Sequence, residues 1–230
     1  MESLNSSRYR RGPWHEFFGL TELVFVGATS NKIVLASGNA GKVREIAQLL
    51  EGLSLKVLPQ SYFDVPEIEE TGLTFIENAI LKARNAAHHT GLPAIADDSG
   101  ISVDVLQGRP GIYSARFAGV GASDEDNLLK LIDMIKPFPE EQRTARFICS
   151  MVYLRHEHDP VPIITHGVWE GQLVTEPQGD NGFGYDPVFY VASQQCTSAE
   201  LPPEIKNKLS HRGQALMQLL DKLNDVYSME

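Results

Sequence analysis

The chain has 230 residues, 42% of them hydrophobic, enough to bury one substantial core or two lobes flanking a cleft. Its net charge of −10 excludes wrapping along a nucleic acid polymer, which needs a surplus of Lys and Arg, but not binding one nucleotide whose phosphates a divalent metal can meet. Cys149 and Cys196 form no CxxC pair and have no His at ligand spacing, which argues against disulfides or zinc and suits a cytoplasmic protein; no apolar run approaches the roughly 18 residues of a membrane span.

Arg8, Arg10 and Arg11 precede a partly apolar stretch that Thr21 and Glu22 interrupt. That pattern is read as a disordered or added N-terminal extension, residues 1–30, rather than a signal peptide. A single two-lobed domain is expected over residues 31–230. Ile33-Val34-Leu35-Ala36 is a short apolar run, and Val43, Ile46, Ala47 and Leu50 follow at helical spacing, so a strand, tight loop and helix are expected. Thr74 with Glu77 three residues on is a capping-box pattern opening a second helix, with Phe75, Ala79, Ile80, Ala83 and Ala87 on its buried stripe and Gly91 at its end.

Pro93-Ala94-Ile95-Ala96 reads as a buried strand with Asp97-Asp98-Ser99-Gly100 at its carboxyl end, and residues 101–106 as a separate strand. Ser123 caps a helix carrying Leu128, Leu131, Ile132 and Ile135, which Pro137 stops. Residues 144–154 are β-prone, and 163–169 with 173–176 suggest a hairpin turning at Glu170-Gly171. Residues 179–184 form a Gly-rich loop, and Ser210 opens a last helix with Ala215, Leu216, Leu219, Leu220 and Leu223 on one face. The expected fold is α/β: a long mixed central sheet flanked by helices, in two lobes with the active-site cleft between them.

A strand-to-helix loop offers unpaired N–H groups and the positive end of a helix dipole, so Ser37-Gly38-Asn39-Ala40-Gly41-Lys42 is suited to an anion. Lys42 adds charge, Ser37 a hydroxyl and Asn39 an amide. This is not a Walker A loop: Ala36 stands where its first Gly belongs and Val43 replaces the magnesium-binding Ser or Thr. A metal is therefore to be sought elsewhere. Asp97, Asp98, Glu67, Glu69 and Glu70 are the candidates, because magnesium takes few carboxylates and completes its shell with water and phosphate oxygens. Successive strand residues face opposite ways, so Asp97 and Asp98 have different parts. The plainer alternatives are an Asx-type turn at Asp97-Asp98 and a solvated acidic loop at 67–70.

Together Ser37-Gly-Asn39-Ala-Gly-Lys42, Glu70-Thr-Gly-Leu-Thr-Phe-Ile-Glu-Asn78, Ala96-Asp-Asp98-Ser-Gly100, Pro110-Gly-Ile-Tyr-Ser-Ala-Arg116, Gly182-Phe-Gly-Tyr-Asp-Pro187 and Ser210-His-Arg-Gly213 form an ordered series. The series resembles the inosine triphosphate pyrophosphatase family, the RdgB-type XTP/dITP diphosphatases, from about Ile33 to Leu223. That resemblance implies hydrolysis of the non-standard purine triphosphates XTP, ITP and dITP to monophosphate and pyrophosphate, clearing them from the nucleotide pool, with Mg2+, by a homodimer. It implies that Ser37, Gly38, Asn39, Ala40, Gly41 and Lys42 bind the triphosphate. Glu70 and Asp98 become metal ligands, Asp98 also the proton acceptor, and Ser99 a substrate contact. Phe183, Gly184, Tyr185, Asp186, Lys206, His211 and Arg212 match positions holding the base and phosphates.

In that setting Lys42 and Lys206 are expected to neutralise the β and γ phosphates, and His211 and Arg212 to donate toward a purine 6-oxo group, where adenine carries a 6-amino group. Phe183, Tyr185 and Phe189 are either stacking partners for the purine or packing residues. Arg116 can meet a phosphate, a dimer partner or an internal carboxylate, and Trp169 is assigned to an interface or the core. His88, His89, His156 and His158 are assigned to the surface, since no HExxH pattern accompanies them. A Maf-like nucleotide pyrophosphatase would carry paired arginines where this chain has Asn39 and Lys42. A non-catalytic nucleotide sensor could dispense with Asp98 and Glu70.

Overall fold

The computed structural model describes residues 32–49 and 56–227. The expected extension, residues 1–30, lies outside them, as does Leu50. Among the described residues seven strands form one sheet in the order β2-β1-β3-β4-β5-β6-β7. They are β1 (Lys32–Ala36), β2 (Lys56–Pro59), β3 (Ala94–Val103), β4 (Thr144–Leu154), β5 (Ile163–Leu173), β6 (Phe189–Val191) and β7 (Cys196–Thr197). β2, β1 and β3 run parallel and the remaining pairings are antiparallel, giving the expected mixed α/β sheet. The helices are α1 (Ala40–Leu49), α2 (Phe75–Thr90), α3 (Asp124–Ile135), α4 (Pro203–Leu209) and α5 (His211–Tyr227).

The helix signals in the sequence act as expected. Thr74 and Glu77 close a reciprocal capping box on α2, Gly91 ends it in the left-handed conformation (φ 64°), and Ser123 with Asp126 caps α3. α2 packs its alanines 79, 83, 86 and 87 on Ala94 and Ala96 of β3, and small side chains on both surfaces let the helix come close to the sheet. On the opposite face α5 buries Ala215, Leu216, Leu219 and Leu223 with Ile33, Ile95 and Ile46 of α1. A third cluster, with Ile101, Leu131, Phe147, Trp169 and Phe189, fills the antiparallel end and places Trp169 in the core.

Three strand boundaries differ from expectation. β3 does not end at Asp97-Asp98 but runs through them to Val103, paired along its length with β4, because Lys42 on one face offsets the charge of Asp97 and α2 on the other binds Asp98. The carboxyl end that matters belongs to β1, whose pairing with β3 stops at Ala36 and Ala96. Residues 101–106 are thus no separate strand. β5 passes straight through Glu170-Gly171, with Glu170 held by Arg146 across the strand at 3.1 Å and Gly171 lying under the Phe189 ring where no Cβ fits. The hairpin partner of β5 is β4, not residues 173–176.

Two close approaches bring a turn and a helix end directly onto the sheet. Gly100 has no side chain because the Gly111 carbonyl and Ser114 hydroxyl stand over it, and Ser114 Oγ accepts the Ile101 N–H at 2.9 Å. At Gly167 of β5 a Cβ would run into the His211 carbonyl, so the start of α5 rests directly on the sheet.

Candidate functional site

A cleft of about 740 Å3 is lined by the 37–42 loop, the acidic segment 67–70, Asp98 and Ser99, the 182–186 turn and the start of α5. It therefore gathers residues more than 170 positions apart, with a volume in the range that holds small organic ligands. Asn39 caps α1: its Oδ1 accepts the Gly41 N–H at 2.9 Å and the Lys42 N–H at 3.0 Å. Gly41 is bare because Phe183 packs against it, so the phosphate-type loop and the 182–186 turn meet edge to edge.

Alternation along β3 sends its two aspartates to opposite faces. Asp98 faces α2, where Asn78 Nδ2 donates to Oδ2 at 3.1 Å and Lys82 Nζ to Oδ1 at 3.0 Å. Lys82 also reaches Glu70 Oε1 at 3.0 Å, and Arg116 Nη1 holds Glu70 Oε2 at 3.1 Å. One ammonium thus lies between the two carboxylates that the sequence singled out for a metal. Burial raises the Asp98 pKa, and nearby Glu70 adds to this, more than Lys82 and Lys42 lower it. At Lys82 the balance is opposite: burial would lower its pKa, but Asp98, Asp97 and Glu70 raise it. At Glu70, burial is outweighed chiefly by Lys82 and the carboxyl stays below its usual range.

Asp97 faces α1 and α5. Its Oδ2 lies 3.0 Å from Lys42 Nζ and 3.6 Å from Arg212 Nε, and its side chain is fully buried. These are ionic contacts only: neither Asp97 oxygen nor Arg212 Nε has a partner with hydrogen-bond geometry. Burial pushes the Asp97 carboxyl up, but Lys42 and Arg212 hold it far below the usual range. Arg212 pairs through Nη1 with Glu45 and donates from Nη2 to Ser99 Oγ at 3.0 Å.

Lys206 carries two carboxylates, Asp186 at 2.7 Å and Glu45 at 2.9 Å. Asp186 in turn accepts from the Phe183 N–H at 2.8 Å and Ser198 Oγ at 2.8 Å, which ties down the turn. The Phe183 ring sits with Lys206 Nζ 5.2 Å and Arg212 Cζ 5.6 Å from its centroid, a cation–π arrangement. Tyr185 is buried and its hydroxyl donates to the Ser114 carbonyl at 2.7 Å, and Phe189 is wholly in the core. His211 stacks on Phe147 at 4.8 Å and 10°. Burial, then Arg212 and Lys206, drive its pKa well below the usual value, so the ring is neutral, and its Nδ1 has no partner.

The architecture recurs in known proteins. Residues 33–222 match the Ham1 family. This chain belongs to the Ham1 family. It is 61% identical over 193 residues to the dITP/XTP pyrophosphatase of Vibrio parahaemolyticus, covering 84% of this chain and 96% of that one. It is 59% identical over 196 residues to that of Photobacterium profundum, covering 85% and 100%. Among solved Ham1 proteins, that of Coxiella burnetii superposes with a TM-score of 0.78 at 52% identity, covering 84% of this chain and 98% of the other. The Staphylococcus aureus Ham1 protein gives 0.75 at 38%, with the same coverage.

In this Ham1 chain the site residues matched to the family series line the cleft except Ala40 and Gly41, which lie within its loop; of the further candidates Glu67 and Glu69 also line it, and Asp97 and Phe189 do not. Arg116 takes the internal option left open for it and pairs with Glu70. The four histidines 88, 89, 156 and 158 are exposed, with His88 and His158 flanking Glu157. Sequence reasoning missed Lys82, Asn78 and Glu45. The available signal was spacing: Asn78 and Lys82 share the α2 face that carries Ala79, and Glu45 lies three residues past Lys42 on α1.

Proposed function

We propose that this chain is a nucleoside triphosphate pyrophosphatase that hydrolyses dITP, ITP and XTP to the monophosphate and pyrophosphate. The observation that carries the reading is one cleft lined together by a phosphate-type loop, a carboxylate pair and aromatic and histidine side chains. Its closest support outside the geometry is the extent of identity with dITP/XTP pyrophosphatases.

In this reading the 37–42 loop and Lys42 hold the phosphate tail. Asp98, with its raised pKa, accepts the proton of the water that attacks the α-phosphorus. Asn78 and Lys82 keep that carboxylate in place, and the rest is positioning and electrostatics, as phosphoryl transfer requires. Lys206 brings little net charge of its own because Glu45 and Asp186 both pair with it, so its part is to hold the 182–186 turn against α1. Phe183 offers its ring, Gly184 and Tyr185 shape the pocket wall, and Ser99 aligns Arg212. Neutral His211 supplies one donor and one acceptor for a 6-oxo purine. Arg212, which only donates, has no acceptor to offer an adenine 6-amino group, a strong means of rejection in a buried pocket.

Glu70 and Asp98 fit a Mg2+ ion. Both are hard oxygen donors, and Lys82 at 3.0 Å from each shows that a single positive charge is accommodated between them. Among the described residues no three His, Cys, Asp or Glu side chains converge on a metal, so phosphate oxygens and water would complete the shell. Bound there, magnesium would neutralise charge on the phosphates. We further infer a cytoplasmic homodimer: clearing the nucleotide pool places the enzyme with that pool, and Leu73 and Tyr62 leave large apolar surfaces exposed, at 81% and 72%. No described helix is long and apolar enough to cross a membrane.

The deciding experiment supplies magnesium and measures products from ITP, dITP, XTP and ATP. Pyrophosphate is expected, far faster from the first three, and Asp98→Asn is expected to abolish turnover while nucleotide still binds. Equal rates on ATP, or release of orthophosphate, would refute the assignment.

A further inference from the structure

Among the described residues Asp97, which lies behind the cleft wall next to Asp98, is the one buried carboxylate left without a hydrogen bond. It stands on β3 between two elements: α1, which carries Lys42 beside the phosphate-type loop, and α5, which carries Arg212 beside His211. Both its oxygens and the facing Arg212 Nε are buried and unpartnered, though only 3.6 Å separates Oδ2 from Nε. Buried polar atoms are nearly always hydrogen-bonded, and closing this gap by about 0.7 Å would reach ordinary N–H···O distance. Lys42, at 3.0 Å, holds the carboxylate on its own side.

A polyphosphate entering the 37–42 loop changes that balance. It attracts the Lys42 ammonium and sets like charge beside Asp97, so both effects drive the carboxylate toward its remaining cation, Arg212. The two other arms of Arg212 are already held by Glu45 and Ser99, so a third contact at Nε fixes the whole guanidinium plane next to His211.

We propose that Asp97 is a positioning residue that couples the two ends of the cleft: phosphate on Lys42 transfers Asp97 to Arg212 Nε and thereby readies the purine end. This rests on the assignment of phosphates to the 37–42 loop and of the purine to His211 and Arg212. Occupancy of one end then strengthens binding at the other, without any contact between the two ligands.

The test is double inhibition of the magnesium-supplemented enzyme by pyrophosphate and inosine, with ITP as substrate. Pyrophosphate is expected to tighten inosine binding by about 5-fold, the low end of ordinary coupling between sites. In Asp97→Asn both inhibitors should still bind, but independently. Lys42→Gln should weaken pyrophosphate while inosine alone binds about as tightly as it does to the wild type with pyrophosphate present, since nothing then draws Asp97 from Arg212. A carboxylate that merely neutralises charge would not produce that gain. Independent or mutually exclusive inhibition of the wild type, or coupling that survives in either variant, overturns the proposal. If inosine or pyrophosphate fails to inhibit the wild type at all, the site assignment falls first and the coupling with it.

Discussion

Lys42→Ala separates what the loop does for binding from what it does for folding. Lys42 is 14% exposed and pairs at 3.0 Å with a fully buried Asp97, whose other cation, Arg212, is 3.6 Å away. Removing one partner of a buried pair costs about 3–5 kcal/mol; partial exposure of Lys42 and the nearby Arg212 reduce the expected loss to about 1–3 kcal/mol. The lost charge-assisted contact to phosphate is worth about 1.5–3 kcal/mol, and part of it is spent in the wild type on leaving Asp97, so KM for ITP should rise roughly 10- to 30-fold. His211 and Arg212 keep their hydrogen-bonding groups even if Asp97 moves to Arg212, so ITP should still be turned over far faster than ATP. Urea denaturation and pyrophosphate release measure the two effects separately. Lys42→Ala with Asp97→Asn removes the orphaned charge and should regain at least half the lost stability while leaving KM high. Loss of the preference for ITP over ATP, a single variant as stable as the wild type, or a double variant with restored KM would refute the reasoning.

Asn78→Ala removes the amide that joins Asp98 to the Gly72 N–H at 2.8 Å, so kcat should fall at least tenfold with KM for ITP nearly unchanged, and stability should drop by about 1–3 kcal/mol in denaturant titration. Gly167→Ala places a methyl against the His211 carbonyl; it should destabilise by about 1–3 kcal/mol and weaken inosine inhibition more than pyrophosphate inhibition. Asp159 accepts hydrogen bonds from Arg155 N, Nε and Nη2 and from Val161 N, and those from Arg155 hold its carboxyl well below the usual range against burial. A depressed folded-state pKa stabilises above the unfolded value, near pH 4, and the benefit is lost as pH falls through the folded one. Asp159→Asn should therefore lower stability by about 2 kcal/mol at pH 7, with the gap to wild type closing below about pH 4 in pH-dependent urea melts.

Much of the fold was legible because its signals are local. The capping boxes at Thr74 and Ser123, the Gly91 terminator and the alanine stripe of α2 each act within a few residues, and each appears in place. Strand limits were less legible. Asp97-Asp98 and Glu170-Gly171 look like turns from composition, and only partners from α1, α2, β4 and β6 keep them extended. Short β2, β6, β7 and α4 carry too few residues for a period to show.

By itself the sequence determined an α/β chain with a phosphate-type loop, acidic candidates for a metal and the motif series of its family, since all of these are written in contiguous residues. The tertiary structure alone decided how the charges are shared: Lys82 between Glu70 and Asp98, Glu45 on both Lys206 and Arg212, and Asp97 between Lys42 and Arg212. Glu45 meets residues 161 and 167 positions away, and no local spacing encodes such a meeting. It exists because β1 and β3 run side by side through the middle of the sheet while α1 and α5 pack on one face and α2 on the other, and a charge buried there takes whichever opposite charge the packing brings within reach.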